Sequence, residues 1–335
     1  MMNPLIIAEV AQSHDGSFGN AKSFIDLAHT VGATAIKYQI HLADEESTKH
    51  EEWRVKFSEQ DESRFAYWER MQFTLEQWKI LRRYSKEKGL QFIVSTFSGL
   101  SVEIAHKLEA DYIKIASGEL TNIPMLEMIS KGNIPVIISS GMSSLSEIES
   151  CIQLIGPNLV KGVLHCTTMY PTPLNEVGLN YMTKLSNKLD FNIGLSDHSG
   201  NPNVPIIAAY AGADIFELHL TFHELSFGPD VIASLTPEQF RLAVNGIADA
   251  KVLASSAINK AAQVNSLEGV KKVFARSAFL RDELHQGDTL KTENLCYKKP
   301  GGGMKWQEAI SLVGKTAKQT ISRETFLSGD LFLDD

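Results

Sequence analysis

Residues 92–117 read FIVSTFSGLSVEIAHKLEADYIKIAS. An apolar, strand-like run over 92–97 gives way to apolar spacing of helical period over 101–108, and a second strand-like run follows over 112–117. The same unit repeats in both directions along the chain. Strand-like runs recur at 5–11, 35–40, 135–141, 160–167, 191–198 and 214–221. Helical spacing recurs at 74–88, 145–155 and 236–253, the last opened by Thr236-Pro237-Glu238, a good cap followed by proline at the first helical position. Eight strands alternating with helices predict an α/β protein built as a (β/α)8 TIM barrel. A doubly wound sheet is the weaker alternative, because no GxGxxG turn follows the first strand.

The stretch 42–72 is too long for an ordinary βα loop. It is rich in Glu, Lys and Arg and carries Trp53, Phe57, Phe65, Tyr67 and Trp68, and long βα loops sit at the functional face of a barrel. Past about residue 255 the pattern changes to SSAINKAAQVNS, then to short runs broken by His285-Gln-Gly-Asp, Pro300-Gly-Gly-Gly and Ser328-Gly-Asp. We therefore expect a barrel over 1–258, a small polar linker over 259–271 and a small, mainly β domain over 272–335.

The chain carries 32 basic and 40 acidic side chains, so it has no basic footprint for nucleic acid. The charge is uneven: residues 1–269 hold 21 basic and 31 acidic groups, and 270–335 hold 11 and 9. No apolar run approaches the ~18 residues of a membrane span, and no basic n-region or long h-region precedes Glu9, so a cytoplasmic protein with no membrane partner is expected. Cys151, Cys166 and Cys296 are far apart and odd in number, with no CxxC, which argues against a disulfide framework or structural zinc and fits a reducing compartment.

Catalytic residues of a barrel sit at the C-terminal ends of its strands. In the second strand Lys37, Gln39 and His41 share one face by alternation, and in the fourth Lys114 precedes Ser117 and Glu119. Two inward lysines near Thr96, Ser117, Ser139 and Ser140 suit a phosphate or carboxylate held by charge-assisted hydrogen bonds. A lysine salt-bridged to a barrel carboxylate is the structural alternative, and a desolvated Schiff-base lysine the chemical one. The seventh strand ends in Ser196-Asp197-His198, and the eighth carries Glu217-Leu218-His219. Two imidazoles and a carboxylate there can hold one divalent ion with open positions, although either histidine alone would read as a buried structural one. Asp15 and Asp230 lie on loops at the same face, as site carboxylates or as turn residues.

Nine segments in order, IAEVAQSHDGS (7–17), IKYQIH (36–41), STFS (95–98), YIKIASGE (112–119), IISSGM (137–142), LHCTTMYPTP (164–173), IGLSDHS (193–199), FELHLT (216–221) and GPD (228–230), resemble the sialic acid synthase family of nonulosonate synthases. The tail, with Tyr297-Lys298-Lys299-Pro300-Gly301-Gly302-Gly303, resembles the antifreeze-like (SAF) domain that follows the barrel in that family. The resemblance implies condensation of phosphoenolpyruvate with the open-chain aldehyde of an N-acylated mannosamine-type aldose, releasing phosphate. It assigns phosphoenolpyruvate to Lys37, Thr96, Lys114, Ser117, Ser139, Tyr170 and Ser196, and Mn2+ or Mg2+ to His198 and His219. Gln39, Glu119 and Asp230 would face the sugar or metal-bound water, with Asp15 or Glu217 as the general base. A domain-swapped homodimer is implied as well, in which Lys299 stands where the family has an arginine that holds the sugar's N-acyl group. Asp15 replaces a usual Glu, and Thr168 a common Asn. The competing functions are a pyruvate-dependent metal or Schiff-base aldolase and a non-catalytic carbohydrate-binding protein.

Overall fold

The structure, a computed structural model, describes residues 4–53 and 55–333. Met1 to Asn3, which entered the reading of the N-terminus, lie outside the described residues. The eight expected strands are β1 (Leu5–Glu9), β2 (Ala35–Ile40), β3 (Gln91–Thr96), β4 (Tyr112–Ile115), β5 (Val136–Ser139), β6 (Val160–Cys166), β7 (Ile193–Asp197) and β8 (Ile215–His219). They pair in parallel and in chain order, and β8 returns to β1 to close the barrel. Closure buries both faces of every strand, which is why the runs are nearly continuously apolar. Outward residues such as Ile36, Tyr38, Phe92, Val94 and Phe216 meet the surrounding helices. Inward residues Ile7, Ala35, Ile93, Ile137, Leu164 and Ile215 fill the lower barrel as one layer.

The helices of this unit are α1 (Phe18–Thr30), α2 (Ala43–Glu46), α3 (Arg64–Met71), α4 (Leu75–Glu87), α5 (Gly99–Lys107), α6 (Ile123–Ser130), α7 (Leu145–Ile155), α8 (Leu179–Ser186), α9 (Asn203–Tyr210) and α10 (Pro237–Ser255). Thr74, Ser98 and Ser144 begin α4, α5 and α7 with reciprocal capping boxes, each satisfying two otherwise orphaned backbone groups. Thr236 does the same for α10: its Oγ1 accepts from the Gln239 amide while its own amide donates to Gln239 Oε1. The excursion between β2 and β4's neighbour β3 contains α2 and α3 and has its own small core of Ala43, Phe65, Tyr67, Trp68 and Met71, with Trp53 and Phe57 against it.

The chain divides into two compact units, one up to Ser255 and the other from Ser256. The stretch expected as a polar linker carries two short helices, α11 (Lys260–Ser266), opened by an Asn259 cap, and α12 (Glu268–Phe274). Alanines and long side chains in that stretch favour a helix over an extended connection. The second unit is also less sheet-rich than expected. Its regular sheet is the antiparallel pair β9 (Ser277–Leu280) and β10 (Leu295–Lys298), joined by isolated bridges such as Leu284–Ile321 and by α13 (Trp306–Ile310). Its core is Ala278, Leu280, Leu290, Leu295, Ile321 and Phe332 with their neighbours. The turns that interrupt its short runs leave no length for longer strands.

Gly162 and Gly194 leave room for the inner layer of the barrel. A Cβ on Gly194 would lie 2.3 Å from the Ile215 carbonyl oxygen and 2.6 Å from Leu164 Cδ2, and a backbone atom cannot yield as a side-chain tip can. Gly194→Ala is therefore expected to lower stability by about 1–3 kcal/mol through overpacking, read as a reduced thermal midpoint. A variant as stable as the parent would show that the β7–β8 pairing is looser than described.

Candidate active site

Above the apolar layer, the next inward positions are charged. Lys37 lies level with Glu9 in the β1–β2 pairing and Lys114 with Ser95 in the β3–β4 pairing. Lys37 Nζ is 3.0 Å from Glu9 Oε2 and 3.6 Å from Glu217 Oε2, and it donates to Ser95 Oγ at 2.8 Å. Lys114 Nζ is 3.2 Å from both Glu217 carboxylate oxygens, and Ser196 Oγ donates to Glu217 Oε1 at 2.8 Å. All four ionisable groups are at most 3 % exposed. Both inward lysines thus have carboxylate partners in the barrel, the structural alternative raised by the sequence, and the two lysines alone no longer demand an external anion.

The two carboxyls sit in different fields. Burial would raise Glu217, but Lys114 and Lys37 outweigh it and hold the group well below the usual carboxylate range. For Glu9, burial and the neighbouring Glu217 charge outweigh Lys37 and the hydrogen bond from Gln39, and it is pushed up to about 7. For Lys37, burial opposes the charge, yet Glu217 and Glu9 raise its pKa above the ordinary value.

One strand step higher are the two histidines. The His198 and His219 rings are 5.1 Å apart, and the Tyr170 ring lies 4.1 Å from His198 and 6.0 Å from His219. Burial lowers both imidazoles, His198 to about 4, so both are neutral at physiological pH. His198 Nδ1 faces the Thr167 carbonyl oxygen at 3.1 Å; donating there, it leaves Nε2 as the free lone pair. His219 Nδ1 is buried with no protein partner among the described residues. Two neutral imidazoles, one oriented by a carbonyl and one with an orphaned nitrogen, fit an incomplete divalent-ion site whose other ligands come from substrate or water. Among the described residues no third His, Cys, Asp or Glu joins them as a ready-made cage, and the expected carboxylate, Glu217, is turned to the lysines.

His219 opens into a cleft of about 570 Å³. Gln39, Tyr170, His219, Glu119, Ser117 and Asp230 line it, as do Trp53, Phe57, Tyr67 and Trp68 of the excursion. Gln39 links floor to wall: its Nε2 donates to Glu9 Oε1 at 2.7 Å, and its Oε1 accepts from Gln12 Nε2 at 2.8 Å and lies 2.9 Å from His41 Nε2. Burial raises the Glu119 carboxyl, with Asn122 Nδ2 donating to it at 2.7 Å. Ser139 is buried at the end of β5, and Ser117 Oγ is 3.5 Å from Thr168 Oγ1.

Two expected site residues lie away from the cleft. Thr96 points to the outer face of β3, where its hydroxyl is 3.5 Å from Met125 Sδ of α6; alternation puts its neighbour Ser95 on the inner face instead. Asp15, with φ at 49°, is paired with Arg70 Nη1 at 2.8 Å, and Arg70 also grips Asp61, so Asp15 pins the excursion and does not line the cleft. Lys299 belongs to the second unit, exposed, with its Nζ 4.9 Å over the Phe274 ring. Glu9 and Ser95 went unassigned in the sequence reading. Period-2 counting from Ile7 and Ile93 marks both as inward, level with the lysines.

The unequal fields make a test. Glu217→Gln removes the counter-charge of two buried lysines and is expected to cost about 3–5 kcal/mol, whereas Glu9→Gln should cost clearly less. Glu9 has a raised pKa, so its contribution is largest at low pH and is lost as pH climbs from about 4.5 to about 7; Glu9→Gln lacks that slope. Thermal unfolding of both variants across that range checks the order, and equal losses at every pH would refute it.

A scan against protein families matches residues 24–259 to the NeuB family. The chain is 30% identical over 334 residues to an N,N'-diacetyllegionaminic acid synthase of Campylobacter jejuni, covering 98% of this chain and 99% of that protein. It is 27% identical to the human N-acetylneuraminate-9-phosphate synthase, over 97% of this chain and 92% of the relative. Among solved structures, an N-acetylneuraminic acid synthetase from Leptospira borgpetersenii superposes with a TM-score of 0.69 at 25% identity, covering 81% of this chain and 93% of the other. A closed barrel with its polar residues gathered at one mouth, matched over almost its whole length by such relatives, belongs to the NeuB family.

Proposed function

We propose that this protein is a nonulosonic acid synthase that joins phosphoenolpyruvate to an open-chain N-acylated mannosamine-type aldose, forming a nine-carbon acid and releasing phosphate. The observation that carries this reading is the vertical order of the site: buried lysines and serines, then two neutral histidines, then a cleft large enough for a sugar. Phosphoenolpyruvate would lie against the top of the charged floor, its anionic groups meeting Lys37 and Lys114 with Ser117, Ser139 and Ser196, and with Tyr170 beside it. His198 and His219 would hold Mn2+ or Mg2+, which when bound polarises the aldehyde oxygen. The C2=C3 π pair of phosphoenolpyruvate would bond C3 to the aldehyde carbon as the aldehyde oxygen takes up a proton to become a hydroxyl. Water adds at C2 with loss of one proton, and the C2–O bond to phosphate breaks as the new C2 hydroxyl loses its proton to give the ketone.

Of the carboxylates put forward for proton transfer, Asp15 is tied to Arg70 and Glu217 is held ionised between two lysines. Glu119 lines the cleft with its carboxyl raised, which suits a proton-handling group. An aldolase working through a Schiff base is disfavoured, since Lys114 is ion-paired at 3.2 Å and not a free amine. The tail's place as an antifreeze-like domain and the pairing of two chains in a homodimer belong to the same proposal.

The deciding experiment is phosphate release from phosphoenolpyruvate with hexosamine aldoses, with and without Mn2+, followed by the product mass. Release that needs both sugar and metal and yields a nine-carbon acid supports the proposal; pyruvate-dependent borohydride trapping at Lys114 would replace it. His198→Ala and His219→Ala should each lose metal binding by calorimetry along with turnover. Glu119→Gln should flatten one limb of the kcat pH profile, and an unchanged profile would remove Glu119 from proton transfer.

A further inference from the structure

Gln39, half-buried near the end of β2, lines the cleft with nearly all of its hydrogen-bonding capacity already committed to the protein. Both lone pairs of its Oε1 are engaged: Gln12 Nε2 donates at 2.8 Å, and His41 Nε2 lies 2.9 Å away. Its Nε2 spends one hydrogen on Glu9 Oε1 at 2.7 Å. The second hydrogen has no partner among the described residues. Glu9 decides which end of the amide is which. It is ion-paired with Lys37 at 3.0 Å and offers lone pairs only, so the amino end of Gln39 turns to Glu9 and the carbonyl end to His41.

His41 is itself held from every side. Its ring is stacked between Trp68 and Phe97, 4.1 and 4.4 Å from them at interplanar angles of 25° and 16°, so both faces are covered. Its Nδ1 lies 3.0 Å from both Glu46 carboxylate oxygens, and Glu46 Oε1 also accepts from the Leu42 amide at 2.7 Å, which keeps that carboxylate in place at the end of α2. With both faces and both nitrogens engaged, His41 borders the cleft but has no hydrogen-bonding group left for a ligand. Glu46 comes from α2 and Trp68 from α3, so the excursion sets the orientation of Gln39 through this ring. Resting on the proposed synthase reading, in which the sugar occupies this cleft, we infer that His41, with Glu46 behind it, is a positioning residue: it locks the Gln39 amide so that one N–H is presented to an oxygen of the sugar. An amide released from His41 can turn over and set its carbonyl against that oxygen, so the lock supplies the donor already oriented.

The test is a double-mutant cycle on the full chain, His41→Phe against Gln39→Ala, read as phosphate release from phosphoenolpyruvate with Mn2+ and the hexosamine aldose the parent uses best. His41→Phe keeps a flat ring between Trp68 and Phe97 and loses both nitrogens, so it separates positioning from packing. The expected result is kcat/KM for the sugar lower by about tenfold, with KM for phosphoenolpyruvate within about twofold of the parent's. The same substitution made on Gln39→Ala should cost nothing further, because His41 acts through that amide. Activity equal to the parent's in His41→Phe reduces His41 to packing and overturns the inference. So does a loss that multiplies with that of Gln39→Ala, or one that raises both KM values alike. Glu46→Gln leaves the ring in place and should lower kcat/KM for the sugar about threefold, again sparing phosphoenolpyruvate. It decides the matter if His41→Phe does not fold, and no change in it would then overturn the inference. All of these results leave the synthase reading standing, whereas a parent chain that releases no phosphate with any aldose overturns that reading and the inference with it.

Discussion

The buried cluster of Lys37 and Lys114 with Glu9 and Glu217 is the constraint around which the barrel is arranged. Its members come from β1, β2, β4 and β8, so it ties four strands together across the lumen. An unpaired charge at this depth would cost several kcal/mol, and the two of each sign, with Ser95 and Ser196 donating or accepting, bring that cost down. The arrangement also enforces register. Sliding any of these strands by one residue would turn its charged residue outward into the apolar shell and bring an apolar one in.

The excursion is held to this frame by polar contacts that the apolar pattern does not reveal. Arg70 on α3 bridges Asp15 and Asp61 and donates to the Asp15 carbonyl, tying the β1 loop to the excursion. Gly16 permits the approach: it has φ of +74°, and a Cβ there would sit 2.5 Å from the Arg70 carbonyl oxygen. On the other side His41 is stacked between Trp68 and Phe97, 4.1 and 4.4 Å from their rings, while its Nδ1 meets Glu46. Asp15, one chain carbon shorter than the glutamate seen in the resembling family, has here become part of this anchor.

The sequence revealed the barrel because parallel strands buried on both faces leave apolar runs that no loop imitates. It revealed the lysines and the histidines because strand alternation is rigid. The same rule, applied to β3 from Ile93, would have chosen Ser95 over Thr96, whose hydroxyl sits against Met125. Glu9 was hidden for another reason. Alternation from Ile7 turns it inward, but its ion-pair role is set only by the ammonium that β2 supplies, 28 residues along the chain. The second unit was least legible, since its core is assembled from short runs between turns, where neither the period of two nor that of 3.6 persists long enough to be read.

The two carboxyls of the charged floor differ in what an incoming anion could change. Glu217 is held ionised, but Glu9 is pushed up to about 7, so a proton taken up there leaves two ammoniums facing one carboxylate. On the proposed function, an anion arriving at this floor would favour that uptake and be held by the surplus positive charge.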